Sequence, residues 1–381
     1  MKTEKRKMLY MYFNARKQRI EKNELSPSEF FYGYEYFCKQ NFDVSVMEFD
    51  GKPIKYLTKF LLLLQKIILK LTKFQYDFAG IFKLGKFQQI ITSDILIISN
   101  NRIAHSILPA LIYMKFKGIE CRTYVIAMGM FNLPKKEVLK KIHLFLNNFL
   151  IRYIDNLIFI GNSEYEYAKK IFKNHEKKIC FLPFGVDSKF WSSSNLNDYK
   201  NLPILFIGND GNRDFDFLIK LAKATPNENF IIISDFFEKS YIDNLDLNNL
   251  DFYKGSWNKK LLTDDFLKSM YKNAKFTIVP LKNSIQPSGQ SVSLQSMSMG
   301  TPVIITKTDG FWDDEYFVNK ENIFFLEENL IENWQKAISE LNNNEMLYSN
   351  LSIEGTKLIS KHFDSDEFSK SLYELIKKSK K

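Results

Sequence analysis

The residues best suited to chemistry in this chain lie in two loops. One is SIQPSGQSVSLQSMSMGTPVIITKT, residues 284–308, where a Pro-Ser-Gly turn runs into a short helix, a glycine stop and an apolar strand. The spacing predicts a helix from Gln290 or Ser291 to Gly300, after which Thr301-Pro302 launches a strand at 303–306. A loop that ends at a helix N-terminus offers backbone N–H groups and the positive end of the helix dipole, so it suits phosphate or another anion. As a turn alone it also fits an ordinary αβ connection. The other loop is GNDGNRDFDFL, beginning at Gly208. Gly208 and Gly211 free the turn, Arg213 brings a forked cation matched to a diphosphate, and Lys282 in PLKNS stands by as a second cation. The alternative for Arg213 is a surface ion pair with Asp214 or Asp216. A dinucleotide site is excluded, because this loop lacks the GxGxxG pattern and an acidic partner on the next strand.

These loops need strands and helices to hold them, and the chain supplies both in alternation. Apolar, β-prone runs stand at 8–13, 44–49, 95–99, 123–128, 157–161 and 179–183, with helical stretches at 27–39, 103–116, 135–153 and 164–172. Apolar strands spaced by helices imply a parallel sheet covered on both faces, with Rossmann-like topology. After Phe184-Gly185-Val186-Asp187 the sequence turns polar in WSSSNLNDYKNLP and reads as a linker. A second αβ series follows, with strands at 204–207, 230–234, 252–254, 276–279 and 303–306. In doubly wound sheets ligands sit at the carboxyl ends of strands, where both loops fall.

Composition fits two domains. The chain has 381 residues, 45% of them hydrophobic, enough to bury two cores and to exclude disorder. Cys38, Cys121 and Cys180 are widely spaced, with no CxxC pair or His cluster, so neither a disulfide framework nor a zinc site is expected and a reducing cytoplasm fits. The opening MKTEKRKMLYMYFNA is too short and polar in its apolar part for a secretory segment and reads as a first strand. No run offers the roughly 20 uninterrupted apolar residues of a spanning helix.

The block LQSMSMGTPVI at 294–304 resembles the LEAMAxGxPVI signature of retaining GT-B glycosyltransferases of the family 4 kind, and PFGVD at 183–187 resembles the PxGVD element that closes their first domain. The resemblance implies an α/β GT-B architecture of two Rossmann-like doubly wound domains facing a central cleft. Here these are an N-terminal acceptor-binding domain at 1–190, a linker at 191–202, a C-terminal nucleotide-sugar-binding domain at 203–360, and a C-terminal helix at 361–381 crossing back to the first domain. It further implies a hexosyltransferase-type enzyme (EC 2.4) that moves a sugar from a UDP- or GDP-sugar with retention. In that family a Glu, seven residues and a second Glu contact the sugar nucleotide. Pro287 and Gln295 occupy those positions, so both carboxylates are missing. Gln295 is left to hold the ribose through its amide, and Gln286, Ser288, Gln290 or loop amides to hold a sugar hydroxyl. The family usually places an Arg just after the Gly of the first loop and a Lys a few residues later. Asn209 replaces the Arg and Arg213 covers the Lys, so phosphate contacts fall to Arg213, Lys282 and the amides from Gly289 to Ser291. Gly255, Ser256 and Trp257, after a second-domain strand, are placed to border the base.

Asp214-Phe-Asp216 and Asp364-Ser-Asp366 match the Asp-x-Asp letters of metal-dependent transferases, but neither follows an apolar strand closely enough to face a cleft. No required metal and no cofactor are expected, with leaving-group charge met by Arg213, Lys282 and helix amides. Among His105, His143, His175 and His362, only His105 falls in a turn after a strand near the expected cleft, where it is either functional or structural. The family often carries a His after a later first-domain strand, where this chain reads AMGM at 127–130. Front-face retention needs no strong base, because the donor phosphate takes the acceptor proton.

The acceptor side is read from charge. Arg16, Lys17 and Arg19 are solvated cations or meet an anionic acceptor. In residues 55–74, Lys55, Lys59, Lys66, Lys70 and Lys73 project within about 60° of one another on a helix, with leucines and isoleucines on the rest. That segment is either a helix lying flat on an anionic membrane or a domain helix packed on the sheet. A net charge of +10 fits an anionic partner, and without a nucleic-acid-reading motif none of that kind is expected. The whole reads as a cytoplasmic enzyme, peripheral on the inner face of the membrane, serving a lipid, lipid-linked glycan or surface polysaccharide precursor. Two alternatives stay open: a sugar-nucleotide epimerase of the same architecture, whose acidic and His catalysts are not located here, and a non-catalytic sugar-nucleotide or glycan-binding protein.

Overall fold

The computed structural model describes residues 5–13, 16–49, 63, 66, 67, 69, 70, 84–193, 199–255 and 261–378. The chain divides into two units. One comprises Met1–Leu25, Phe31–Pro183 and Ser369–Lys381, the other Ser26–Phe30 and Phe184–Phe368.

The first unit is built as β1 (Arg6–Phe13), α1 (Arg16–Glu21), α2 (Tyr34–Cys38), β2 (Phe42–Phe49), α3 (Leu84–Ile91), β3 (Ile95–Ile98), α4 (Asn101–Ser106), α5 (Leu108–Phe116), β4 (Arg122–Ala127), α6 (Glu137–Tyr153), β5 (Asn156–Phe159), α7 (Asn162–Ile171) and β6 (Ile179–Phe181). Its strands pair in parallel in the order β2-β1-β3-β4-β5-β6. β3 and β5 are buried at every position, which is why they read as continuous apolar runs rather than as alternating ones. Two helices expected from the sequence are interrupted. Residues 27–39 form a 3-10 turn at Glu29–Phe31 and then α2, because Tyr32 and Gly33 both take positive φ, 49° and 80°, which no continuous helix contains. Residues 103–116 split into α4 and α5 at Ile107, with φ −90° and ψ 2°, because Pro109 in the first turn of α5 has no N–H to give and its ring would meet the carbonyl of residue 105 in a through-running helix.

The second unit carries β7 (Ile204–Ile207), α8 (Phe215–Ala224), β8 (Phe230–Ser234), α9 (Lys239–Asp243), β9 (Leu250–Lys254), α10 (Asp264–Lys272), β10 (Thr277–Val279), α11 (Gln290–Ser298), β11 (Val303–Thr306), β12 (Phe324–Leu326), α12 (Ile331–Asn343) and α13 (Glu345–His362). The helix α14 (Ser365–Lys378) begins here and continues into the residues grouped with the first unit, where Tyr373 packs on Phe37 and Phe42. The sheet is parallel, in the order β12-β11-β10-β7-β8-β9. Counted within the unit that order is sixth, fifth, fourth, first, second, third, so the winding reverses between β7 and β10. Loops leaving those two strands part in opposite directions and open a crevice at their carboxyl ends. One face of the sheet is packed by Phe215, Leu218, Leu221, Trp334 and Leu341, all at most 3% exposed. Two parallel six-stranded sheets with helices between the strands make the GT-B architecture anticipated from the sequence.

Candidate functional site

The crevice between β7 and β10 is where both chemistry-bearing loops arrive. They are stitched together by main-chain and side-chain bonds. Arg213 pairs with Leu281 in an isolated antiparallel bridge, Lys282 N donates to Asn212 O at 2.8 Å, and Asp214 N donates to Pro280 O at 3.0 Å. Asn212 Nδ2 donates to Ser288 Oγ at 2.9 Å, and that hydroxyl donates to Asp210 Oδ1 at 3.2 Å. Asn209 braces the β7 loop: its Nδ2 donates to Gly255 O at 2.9 Å and its Oδ1 accepts from Ser234 Oγ at 3.2 Å.

This stitching turns Arg213 inward. The side chain is 3% exposed and lies between Gly208 and Gly289, so a Cβ at either glycine would overlap the guanidinium. Gly289 also holds a φ of 78°, which glycine tolerates best. Arg213 therefore does not make the surface pair with Asp214 or Asp216. Asp214 caps α8 by accepting from Phe217 N at 3.3 Å, and its Oδ2 accepts from Asn329 Nδ2 at 3.0 Å. The nearest carboxylate to the guanidinium is Asp210, with Oδ2 3.3 Å from Nε, on a side chain that is 43% exposed. Arg213 Nε and Nη1 are buried and make no hydrogen bond within the protein. Burial pulls the guanidinium pKa down and Asp210 opposes the pull, yet an arginine stays charged at any ordinary pH. A buried cation with N–H groups left over costs free energy until an anion completes it.

The second half of an anion site is beside it. α11 begins at Gly289 with no side-chain cap, and the first amides of an α-helix have no intrahelical acceptor. Ser288 and Gln290 are buried at this tip, Gln286, Pro287 and Ser291 are partly exposed, and Lys282 stands exposed on the adjoining loop. Gly255 is buried against Ile233. Ser256 and Trp257, read as bordering the base, lie outside the described residues, as do Lys55, Lys59 and Lys73 of the lysine stripe.

Gln295 sits one and a half turns into α11 and is already engaged. Its Oε1 accepts from Tyr271 OH at 3.0 Å and its Nε2 donates to Glu29 Oε1 at 2.8 Å. Glu29 also accepts from Trp191 Nε1 at 2.8 Å and from Asp187 N at 3.2 Å. Burial pushes its carboxyl up to about 7, against the pull of these donors. Asp187, the last residue of PFGVD, holds the same segment by accepting from Ser26 Oγ at 3.0 Å and Ser28 N at 3.1 Å. Nothing in the sequence marked Glu29 beyond a helix-start pattern. Glu164, in the first turn of α7, is a second buried acid that sequence reasoning passed over. It is 1% exposed, its Oε1 makes no hydrogen bond within the protein, and burial pushes its pKa up to about 8.

His105 stands apart from these groups. It belongs to α4 of the first unit, is 5% exposed, and its Nε2 lies 2.8 Å from Asn147 Oδ1 on α6. Burial pulls its pKa down to about 3, so the ring is neutral and packed, and the structural alternative describes it. Asp364 and Asp366 bond Ser188 and Lys189.

The fold is of the GT-B kind, shared with solved glycosyltransferases. Residues 187–358, which lie within the second unit, match the family described as Glycosyl transferases group 1. Among solved structures, the chain is similar to a glycosyltransferase from Rickettsia africae, at 14% identity over 99% of both chains with a TM-score of 0.66. It is also similar to sucrose-phosphate synthase from Thermosynechococcus elongatus, at 12% identity over 98% of this chain and 99% of that one with a TM-score of 0.68. Anabaena HepE, solved with UDP and glucose, matches at 12% identity over 97% and 99% with a TM-score of 0.64. A search of curated proteins found no match.

Proposed function

We propose that this chain is a glycosyltransferase that takes a sugar from a nucleoside diphosphate sugar, UDP-linked in the first instance, and transfers it with retention to a lipid, lipid-linked glycan or polysaccharide precursor. The observation that carries the donor side is the buried Arg213 guanidinium, with Nε and Nη1 unbonded, at the uncapped start of α11. A diphosphate satisfies both groups, with Lys282 as a further cation. In the step proposed, the bond from the anomeric carbon to the phosphate oxygen breaks as the bond to the acceptor oxygen forms on the same face. The acceptor proton passes to the departing phosphate, whose charge Arg213 and the helix amides hold. No metal is required in this reading, so turnover persists in EDTA. The experiment is a thermal-shift panel followed by a transfer assay. UDP or UDP-sugar is expected to raise the melting temperature, and UDP release is expected to depend on acceptor. GDP acting in place of UDP changes the donor, binding without turnover supports a binding protein, sugar interconversion supports an epimerase, and no nucleotide response rejects the reading.

Support for a lipid acceptor comes from α6. Its outer side exposes Val138 at 70%, Ile142 at 42% and Phe145 at 62%, positions that share one helical face, with Lys135, Lys136 and Lys141 exposed alongside. Lys66 and Lys70 of the lysine stripe are likewise helical and exposed, with Leu63, Ile67 and Leu69. An apolar face edged by lysines fits an anionic bilayer surface, each lysine adding roughly 1 kcal/mol of attraction. Among the described residues no helix is long and apolar enough to cross a membrane. Reversing Lys135, Lys136 and Lys141 to Glu is expected to weaken binding to anionic liposomes at least tenfold and to leave the UDP-induced thermal shift in place. Unchanged liposome binding removes this face from the proposal.

A further inference from the structure

Glu29 and Gln295 are 266 positions apart in sequence and 2.8 Å apart in the fold. Glu29 Oε1 already accepts from the Trp191 indole N–H, which can only donate, so that oxygen is an acceptor in either protonation state and the amide turns Nε2 toward Glu29 and Oε1 toward the Tyr271 hydroxyl. Turned over, it would set carbonyl oxygen against carboxylate oxygen. The orientation of the amide is therefore imposed by its neighbours. One N–H and one lone pair of Gln295 remain, on a side chain 7% exposed and on the same short helix whose N-cap, Gly289, packs against Arg213. A donor and an acceptor in fixed order are what a pair of adjacent hydroxyls asks for.

The same geometry explains the glutamine. A Glu at position 295 would bring two buried carboxylates within hydrogen-bond distance of each other, which is destabilising unless one holds a proton. Glu29 is fixed in turn by the Trp191 indole and the Asp187 amide, on a segment that Ser26 and Ser28 fasten to Asp187. We propose that Glu29 is a positioning residue for the donor site: it replaces the carboxylate missing from α11, requires an amide at 295, and sets the order in which Gln295 presents its N–H and oxygen to a ribose diol. The pairing stands on the contacts alone, whereas the ribose role rests on the proposed function.

The experiment compares the full-length wild type with E29Q, Q295E and the double variant E29Q/Q295E. The first readout is the melting temperature without ligand. Q295E is expected to lower it by about 5 °C or more and the double variant to recover a large part of the loss, since substitutions at contacting residues are non-additive. If Q295E does not fold, recovery of soluble protein on adding E29Q is the same result. Additive losses overturn the pairing. The second readout is the affinity for UDP against 2′-deoxy-UDP, with inorganic pyrophosphate as a probe of the Arg213 end. Wild type is expected to favour UDP by about tenfold and E29Q by less than about threefold, with pyrophosphate binding unchanged. An undiminished preference in E29Q overturns the positioning role. A wild type that binds none of the three ligands rejects the proposed function and with it the ribose role, and the melting temperatures then decide the pairing by themselves.

Discussion

Arg213→Ala is expected to abolish the thermal shift produced by UDP or pyrophosphate and to slow transfer by roughly 100-fold or more, while the ligand-free protein melts no lower than wild type. The two effects have opposite signs for one reason. In the ligand-free fold the guanidinium is 3% exposed, has only the half-exposed Asp210 nearby, and leaves Nε and Nη1 unbonded. Removing it relieves a buried, incompletely compensated cation, and shrinking the side chain beside Gly208 and Gly289 strains no neighbour. When a diphosphate is present, the same cation is the one buried positive charge at the start of α11 among the described residues. A variant that binds UDP as well as wild type ends the assignment. A variant that melts far below wild type shows that the guanidinium holds the two loops together rather than serving a ligand.

Stability is expected to fall as the pH is raised from 5 to 9, through Glu29 and Glu164. Their carboxyls are pushed up by burial to about 7 and about 8, from an unperturbed value of 4.5. A raised carboxyl pKa means that the folded state holds the proton more tightly than the unfolded chain. The contribution is complete below pH 4.5 and is lost as the pH climbs through 7 and then 8. Each buried acid is worth roughly 2–4 kcal/mol across that window. Glu164→Gln keeps the shape and drops the titration, so its stability relative to wild type is expected to rise by roughly 2 kcal/mol or more at pH 9 and to change little at pH 5. Urea denaturation at the two pH values measures this, and a difference that does not vary with pH contradicts it.

Strands of the two sheets were legible because parallel strands buried on both faces are written as unbroken apolar runs, such as ILII at β3 and FIIIS at β8. β12 was not, since three residues, FFL, carry no periodicity. The break at Tyr32 and Gly33 was equally hidden, because a positive φ at tyrosine answers to tertiary packing. At the site, Arg213 could be found from its glycine-bounded loop and from the strand before it. Its burial could not, as that depends on Gly289, 76 positions further on. His105 looked accessible because a turn after a strand usually is, and only the Asn147 amide on α6 shows it facing inward. Glu29 shows the limit most clearly. Its local signal, Ser-Pro-Ser-Glu, describes a helix start, while its partners Trp191 and Gln295 lie 162 and 266 positions further on.

That short detour of chain bears on how the protein can be cut. Ser26–Phe30 lies between stretches of the first unit yet is grouped with the second, so the backbone passes from one unit to the other four times. The region matched by the family begins at residue 187 and omits this insert. A fragment expressed from Phe184 onward would leave the Trp191 indole and the Gln295 amide without their acceptor, and such a fragment is not a faithful stand-in for the whole chain. Ribosomal synthesis meets the same constraint: residue 29 emerges long before the pocket that receives it, and stays in water until partners 162 and 266 positions further on have followed.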